Sequence, residues 1–208
     1  VRPLFIGRDK ELQQFFFASE LKSINQLAWI VDQFPPGSFL EISGDQENLV
    51  RYYHCDKFLT TQFHQDEDQI CQQINQLFTQ AVKKRLMSDR PIGCLLSGGL
   101  DSSLVSALVA REFKKNKTGI INTFSIGMTV RTDLYFAQKV ADHIGSVHHH
   151  IELTPDDFLK AIPEVIYYIE SYDTTTVRAS VGNYLVGKYI KEKTDCVVIY
   201  NGDGSDEQ

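Results

Sequence analysis

Residues 92–103, with the sequence IGCLLSGGLDSS, constrain the fold more than any other stretch of the chain. Residues 92–96 are apolar or small, which is typical of a buried strand. From Ser102 onward, apolar residues recur at three- and four-residue spacing, which predicts a helix. A short polar turn, residues 97–101, joins the two. The stretch therefore predicts a strand that leads directly into a helix, the repeating unit of α/β proteins.

The turn has the composition of an anion-binding loop. Backbone N–H groups at the start of a helix have no partner within the helix and lie at the positive end of its dipole, where phosphate binds well. Gly98 and Gly99 allow a ligand to approach the backbone closely. Asp101 would repel phosphate unless a divalent cation lies between them, which indicates nucleotide bound with Mg²⁺.

Two other kinds of turn have a similar sequence. The turn at 97–101 is not a P-loop, because its glycines are adjacent and no lysine follows them. A purely structural corner remains as the alternative, with Asp101 as the helix N-cap and Ser102 as the first helical residue.

The chain changes character near residue 60. Upstream, short strands at 1–6, 15–18, 38–42 and 49–54 and a helical segment at 19–27 predict an antiparallel α+β region. Downstream, a helix over about 65–87 leads into strands that alternate with helices, which predicts a parallel sheet. Polar loops follow three of these strands at Ser97, Gly127 and Asn201, and in a parallel sheet they converge on one crevice.

Charge and cysteine content exclude several classes of protein. The net charge of −6 and the pI near 5.5 argue against a nucleic-acid-binding surface. The four cysteines have no C-x-x-C spacing, and Cys94 and Cys196 lie in apolar runs, so we expect a reducing, cytoplasmic environment. No apolar run reaches the ~18 residues of a membrane span. His148, His149 and His150 alternate between strand faces, so they do not form one metal site.

Several motifs together resemble a known family. The Ser-Gly-Gly-x-Asp-Ser-Ser pattern is similar to the pyrophosphate loop of ATP pyrophosphatases. Combined with other segments, it makes the chain resemble the asparagine synthetases of the glutamine-hydrolysing, eukaryotic type. The segments that carry the resemblance are FSIGM at 124–128, KVADHIGS at 139–146, ESYDTTTVRAS at 170–180, GDGSDE at 202–207 and, upstream, VRPL at 1–4, ASELK at 18–22 and PPG at 35–37.

The resemblance implies a fold and a domain organisation. Residues 61–208 would form an α/β domain with the parallel sheet of an ATP pyrophosphatase, also called adenine nucleotide α-hydrolase-like. Residues 1–60 would be a partial, antiparallel α+β class II amidotransferase domain. A homodimer is an assembly that the resemblance allows.

The resemblance also implies a reaction and a set of site residues. ATP would adenylate the β-carboxylate of aspartate, and ammonia would then give asparagine, AMP and pyrophosphate. Asp203 would assist formation of the adenylate, Arg178 would clamp the substrate, and Asp101 and Asp206 would bind Mg²⁺. The residues implied to contact ATP are Leu95 and Ile126 on the adenine side, Asn201 and Gly202 on the ribose side, and Ser97, Gly98, Gly99, Asp101, Ser102 and Ser103 around the phosphates.

The chain departs from the family pattern in ways that set further expectations. Residue 1 is Val1, whereas the family's glutaminase nucleophile is an N-terminal cysteine, so we expect a fragment truncated at both ends without glutaminase activity. Asp203 stands where the eukaryotic branch has glutamate, and Asn201 where it has serine. Two alternatives therefore stay open: a catalytically inactive nucleotide-binding or interaction remnant, and another ATP pyrophosphatase such as a β-lactam-type synthetase.

Overall fold

The computed structural model describes residues 3–9, 11, 14–28, 30–44, 46–54, 66–116, 119–128 and 132–204. The chain forms two compact units, an N-terminal unit, Val1–His64, and a C-terminal unit, Gln65–Gln208. Each unit is described by itself. No helix among the described residues combines the length and the hydropathy that a membrane crossing needs.

The N-terminal unit contains two antiparallel sheets. Its strands are β1 (Phe5–Asp9), β2 (Gln14–Ala18), β3 (Ile30–Gln33), β4 (Ser38–Ser43) and β5 (Gln46–Arg51). The first sheet has the order β2-β1-β3, and the second is the β4–β5 hairpin. Arg8 of β1 donates to Glu47 of β5 at 3.0 Å and to Asp32 of β3 at 3.2 Å, which ties the hairpin to the three-stranded sheet.

The strands of this unit differ in detail from those that the sequence predicts. The strand predicted at 1–6 continues further as β1 and includes Gly7, which pairs with Phe16 on one side and Val31 on the other. A Cβ atom at Gly7 would lie 2.7 Å from the Cβ atom of Ala28, so this glycine serves a close approach rather than a turn. The helix predicted at 19–27 is reduced to a 3₁₀ turn at Leu21–Ser23.

The other differences in this unit concern strands. The sequence did not predict β3, whose four residues carry no clear alternation. The strand predicted at 49–54 is shifted toward the N-terminus, since its observed register follows the tight turn at Gly44, where φ is 59°.

The C-terminal unit alternates strands and helices. Its elements are α1 (Glu67–Arg85), β6 (Ile92–Leu95), α2 (Leu100–Asn116), β7 (Asn122–Gly127), α3 (Thr132–Ile144), β8 (Val147–Glu152), α4 (Pro155–Ile169), α5 (Thr174–Lys193) and β9 (Val198–Tyr200). Caps that are legible in the sequence set several boundaries. Thr154 and Asp157 form a capping box at the start of α4, and Gly145, with φ of 69°, ends α3.

The sheet of this unit confirms the predicted α/β class. Its strands are all parallel and have the order β8-β7-β6-β9. The chain therefore builds outward from β6 through β7 to β8 and then returns to the other side of β6. A reversal of this kind opens a crevice at the carboxyl ends of the two strands that flank it, here β6 and β9.

The core of the C-terminal unit lies on both faces of this sheet. On one face, Cys94 of β6 packs with Val105 and Val109 of α2 and Val82 of α1. On the other, Phe124 of β7 packs with α5, and the core there includes Cys196. Cys94 and Cys196 are both buried, which confirms them as small core side chains.

Helix α5 packs against two different partners along its length. Its first half, with Val177 and Val181, packs against α4. Its second half, with Val186 and Ile190, packs against the sheet. It starts at Thr174, because the Asp173 side chain caps it by accepting the Thr176 N–H at 2.8 Å.

We expect Gly93→Ala to destabilise the C-terminal unit by about 1–3 kcal/mol, the cost of overpacking a filled core. A Cβ atom at this position would lie 2.7 Å from Cε2 of Phe124 and 3.3 Å from Cδ1 of Ile199. Urea unfolding provides the measurement. Gly187→Ala is the matched control, because a Cβ atom there meets nothing within 4 Å. That substitution should stabilise α5 by about 0.5–1 kcal/mol, and equal effects of the two substitutions would contradict the packing described.

Candidate functional site

The loop after β6 leads into α2 through Gly99, which occupies the N-cap position. The Gly99 carbonyl accepts the N–H of Ser103 at 3.1 Å, so the helix begins at Leu100. Asp101 consequently lies in the first turn rather than at the N-cap. Gly98 has φ of 87°, a conformation that glycine adopts without strain. The loop thus brings the first N–H groups of α2 to the carboxyl end of β6, as anion binding requires.

Three serine hydroxyls hold this loop in shape. The Oγ atoms of Ser97 and Ser102 lie 2.8 Å apart, and the Ser97 N–H donates to Ser102 Oγ at 3.2 Å. Ser103 Oγ donates to the Gly99 carbonyl at 2.6 Å. Ser102 is buried at 8% exposure, so its hydroxyl belongs to the floor of the loop.

The loop after β9 lies directly against this first turn. A Cβ atom at Gly202 would lie 2.6 Å from the Ser102 nitrogen and 2.8 Å from the Asp101 carbonyl carbon. Only glycine fits between the two backbones, because neither contact is with the end of a flexible side chain. The Asn201 side chain donates to the Asp203 carboxylate at 3.0 Å within the same loop. The loops of β6 and β9 therefore meet at the carboxyl end of the sheet.

A cleft of about 200 Å³ opens where these loops meet. Its walls come from four elements: β6 and its loop, β7, α5 and the loop after β9. The lining residues are Leu95, Leu96, Ser97, Gly99, Asp101, Ser102, Phe124, Ser125, Ile126, Asn183, Val186, Asn201, Gly202 and Asp203. Most residues that the sequence nominates for ATP thus surround one space. Gly98 and Ser103 belong to the same loop without lining the cleft.

The charge of the cleft is compatible with a cation. Asp101 and Asp203 both line it, and among its described lining residues there is neither lysine nor arginine. Triphosphate would therefore meet two carboxylates as well as the positive end of α2. Carboxylate oxygens are preferred ligands of Mg²⁺, so the residues present fit a magnesium nucleotide better than a free one.

Two nominated residues lie elsewhere. Arg178 is on the first half of α5, the half that packs against α4, and it lines a separate apolar groove of about 450 Å³. The second half of the same helix reaches the cleft. Asp206 lies outside the described residues.

The cleft also contains residues that the sequence did not nominate. Asn183 and Val186 reach it from α5, and Ser125 from β7. Asn183 lies three residues before Val186 and seven before Ile190. This helical spacing places Asn183 on the face of α5 toward the sheet and is a signal that could have identified it. Ser125 was within a motif already singled out, but a serine inside an apolar strand carries no signal of its own.

The three consecutive histidines point to opposite faces of β8, as the alternation predicts. The His149 ring stacks on Phe124 with centroids 4.8 Å apart, on the α5 side. His148 bonds to Thr123 on the other side, and its Nδ1 lies 2.9 Å from Thr123 Oγ1. His150 lies 3.6 Å from the Glu152 carboxylate.

These features together are typical of one class of protein. A parallel sheet whose β6–α2 turn is a Ser-Gly-Gly-x-Asp-Ser-Ser loop, meeting an acidic loop at the strand reversal, is typical of an α/β nucleotide-binding domain. A family model described as asparagine synthase matches residues 73–208. The chain belongs to the asparagine synthase family.

Curated relatives agree with this assignment. The chain is 45% identical over 193 residues to the asparagine synthetases [glutamine-hydrolyzing] of Pongo abelii and Homo sapiens, covering 85% of this chain and 34% of each relative. It is 55% identical over 132 residues to the Bos taurus protein of the same name, covering 63% of this chain and 24% of the relative. The chain thus spans about a third of the length of its relatives.

Solved structures give only a distant similarity. An ammonia-dependent NAD synthetase from Campylobacter jejuni is 19% identical with a TM-score of 0.42, covering 61% of this chain and 54% of that chain. The family assignment therefore depends on sequence.

We expect Gly202→Ala to destabilise the C-terminal unit by about 1–3 kcal/mol, because the new methyl group overlaps backbone atoms of the first turn of α2. Gly99→Ala in the facing loop is the matched control. A Cβ atom there would meet only Ser97 Oγ, at an ordinary 3.5 Å. Urea unfolding of both variants provides the measurement, and equal stability would show that the two loops do not touch.

Proposed function

We propose that this chain forms the ATP-binding part of an asparagine synthetase. The observation that carries the proposal is the meeting of the Ser97–Ser103 loop and the Asn201–Asp203 loop around one cleft, in a chain of the asparagine synthase family. The proposal assigns residues 61–208 to the synthetase domain and residues 1–60 to part of a glutamine amidotransferase domain. Aspartate and ammonia are the proposed small-molecule substrates.

The proposed reaction has two steps. The β-carboxylate of aspartate attacks the α-phosphorus of ATP, and the bond to the bridging oxygen breaks, so that pyrophosphate leaves. Ammonia then attacks the acyl carbon of the aspartyl-adenylate, loses a proton and displaces AMP. Both steps depend mainly on positioning and on neutralising phosphate charge, which preorganised backbone donors supply.

Within this proposal, the β6–α2 loop binds the pyrophosphate portion of ATP. Ser97, Gly98, Gly99, Ser102 and Ser103 contribute backbone N–H groups or hydroxyls at the positive end of α2. Leu95 and Ile126 offer backbone groups beside the adenine. Asn201 and Gly202 contact the ribose. All of these residues except Gly98 and Ser103 line the cleft.

The acidic residues have two proposed roles. Asp101, together with Asp206, holds Mg²⁺, which neutralises charge on the phosphates when it is bound. Asp203 assists formation of the aspartyl-adenylate, a role proposed from similarity to the family, and the hydrogen bond that it accepts from Asn201 limits the directions in which its carboxylate can point. Arg178 clamps the substrate carboxylate by a bidentate contact. Arg178 lines the α4–α5 groove rather than the cleft, so this last role is proposed from similarity to the family alone.

The setting of the protein is also part of the proposal. The net charge of −6 supports a partner set without nucleic acid, and the cysteine pattern supports a cytoplasmic location. A homodimer is the proposed assembly, by similarity to the family.

Asp101→Asn tests the proposal, since it keeps the shape of the side chain and removes its charge. We expect the Mg²⁺-dependent affinity for ATP to fall at least about tenfold, as metal sites respond when supporting groups are removed. Isothermal titration with MgATP provides the measurement. Asp89→Asn is the control, because Asp89 is an exposed acid of the turn before β6 and does not line the cleft.

A pyrophosphate-release assay with MgATP, aspartate and ammonia tests turnover. We expect release that depends on all three and is lost in Asp101→Asn. ATP binding without release would overturn the synthetase proposal and leave a nucleotide-binding remnant. Absence of MgATP binding would overturn both, and thermal unfolding checks it independently, because a ligand at 100 times its Kd stabilises the fold by about 2.7 kcal/mol.

A further inference from the structure

A chain of hydrogen-bonded side chains runs beneath the cleft on the α3 side of the sheet. The His148 ring spans two hydroxyls of β7, with Nδ1 2.9 Å from Thr123 Oγ1 and Nε2 3.0 Å from Ser125 Oγ. Thr123 Oγ1 lies a further 2.8 Å from Ser146 Oγ. Thr123 is fully buried and Ser125 is 4% exposed. Both ring nitrogens of His148 therefore form hydrogen bonds with hydroxyl groups of β7.

The register of the parallel strands explains this arrangement. His148 pairs with Thr123, and the next residue on the same face of β7 is Ser125. An imidazole carries nitrogens on two edges and can bridge two hydroxyls that lie one strand repeat apart. The Ser125 end of the chain reaches the cleft, since Ser125 is one of its lining residues. His148 itself does not line the cleft.

The far end of the chain sets the direction of its hydrogen bonds. The distances alone leave donor and acceptor open at Thr123, Ser125 and His148, so the direction is assigned from Ser146: with its hydroxyl donating to the Ala141 carbonyl at 3.4 Å, its oxygen accepts from Thr123. Thr123 then accepts from Nδ1–H of His148. A neutral imidazole has one donor and one acceptor, so Nε2 accepts the proton of Ser125. The lone pairs of Ser125 are then its remaining hydrogen-bonding capacity, and Ser125 is one of the residues that line the cleft.

We propose that His148 is a positioning residue that holds the Ser125 hydroxyl in this orientation, so that Ser125 accepts a hydrogen bond from a nucleotide bound in the cleft. This inference depends on the proposed ATP binding and adds a residue to it. Protonation of the ring makes Nε2 a donor, reverses its bond to Ser125 and turns the hydroxyl proton away from the ring. One lone pair of Ser125 is then occupied by the ring, and the hydroxyl proton competes for the directions from which a nucleotide donor approaches.

The surroundings of His148 keep the ring neutral near pH 7. Burial lowers the pKa of His148 below its ordinary value, and the neighbouring His150 and His149 lower it further. Asp142 of α3 opposes them. The groups that β7 presents to the ring are hydroxyls. We therefore expect the Nε2–Ser125 hydrogen bond to reverse only at a pH below about 6.5, the ordinary histidine pKa.

A pair of substitutions separates positioning from simple packing. His148→Gln keeps a polar atom close to the position of Nε2 and can still accept from Ser125. His148→Asn keeps one close to the position of Nδ1 and loses that contact. We expect His148→Asn and Ser125→Ala to weaken MgATP binding about fivefold, the size of one neutral hydrogen bond, and His148→Gln to restore near wild-type affinity.

The pH dependence is the second readout. In the wild type, the affinity for MgATP should fall as the pH is lowered through the pKa of His148, which imidazole NMR measures directly. His148→Gln should remove this dependence. His150→Gln is the matched control, because it removes a titratable neighbour on the same face without touching Ser125, and it should keep the dependence. Circular dichroism checks folding at each pH, because a depressed histidine pKa also lowers stability in acid.

The outcomes distinguish this inference from the proposed function. A wild-type chain that binds no MgATP overturns both. A wild type that binds, with equal affinity in His148→Asn and His148→Gln, overturns the positioning role alone. An affinity that stays constant or rises as the ring protonates also overturns it.

Discussion

The site depends on a close contact between Gly202 and the backbone nitrogen of Ser102. A side chain at residue 202 would overlap that nitrogen. Because Gly202 has no Cβ, the loop after β9 can rest on the first turn of α2. The contact unites a loop near residue 100 with one near residue 200, and the cleft exists only because both are present. The strand order creates the crevice, and Gly202 determines how closely the loops after β6 and β9 approach each other.

Helix α5 shows that membership of a motif does not determine where a side chain acts. Its two halves pack against different partners: Val177 packs against α4, and Val186 packs against the sheet. Arg178 follows the first half and lines the α4–α5 groove, whereas Asn183 follows the second half and lines the cleft. The same helix therefore contributes residues to two separate pockets.

Much of the fold could be predicted from periodicity and caps. The helices of the C-terminal unit, its parallel sheet and the convergence of its loops follow from local patterns, because buried strands and capped helices are encoded within a few residues. The N-terminal unit was predicted less well. Gly7 resembles a turn residue, yet its place is set by strands on both sides and by the Cβ atom of Ala28, contacts that no local pattern contains. Ser125 was missed for the same reason, whereas Asn183 was missed although its spacing from Val186 and Ile190 is a local signal.

The serine hydroxyls of the β6–α2 loop are satisfied by one another and by the loop backbone. Ser97 and Ser102 share a hydrogen bond at 2.8 Å, and Ser103 is bound to the Gly99 carbonyl. An arriving phosphate that uses these hydroxyls must displace existing bonds, so that each exchange leaves the number of hydrogen bonds nearly constant. The net attraction must then come from the helix dipole and the N–H groups of the first turn. The serines chiefly fix the shape of the loop before the anion binds.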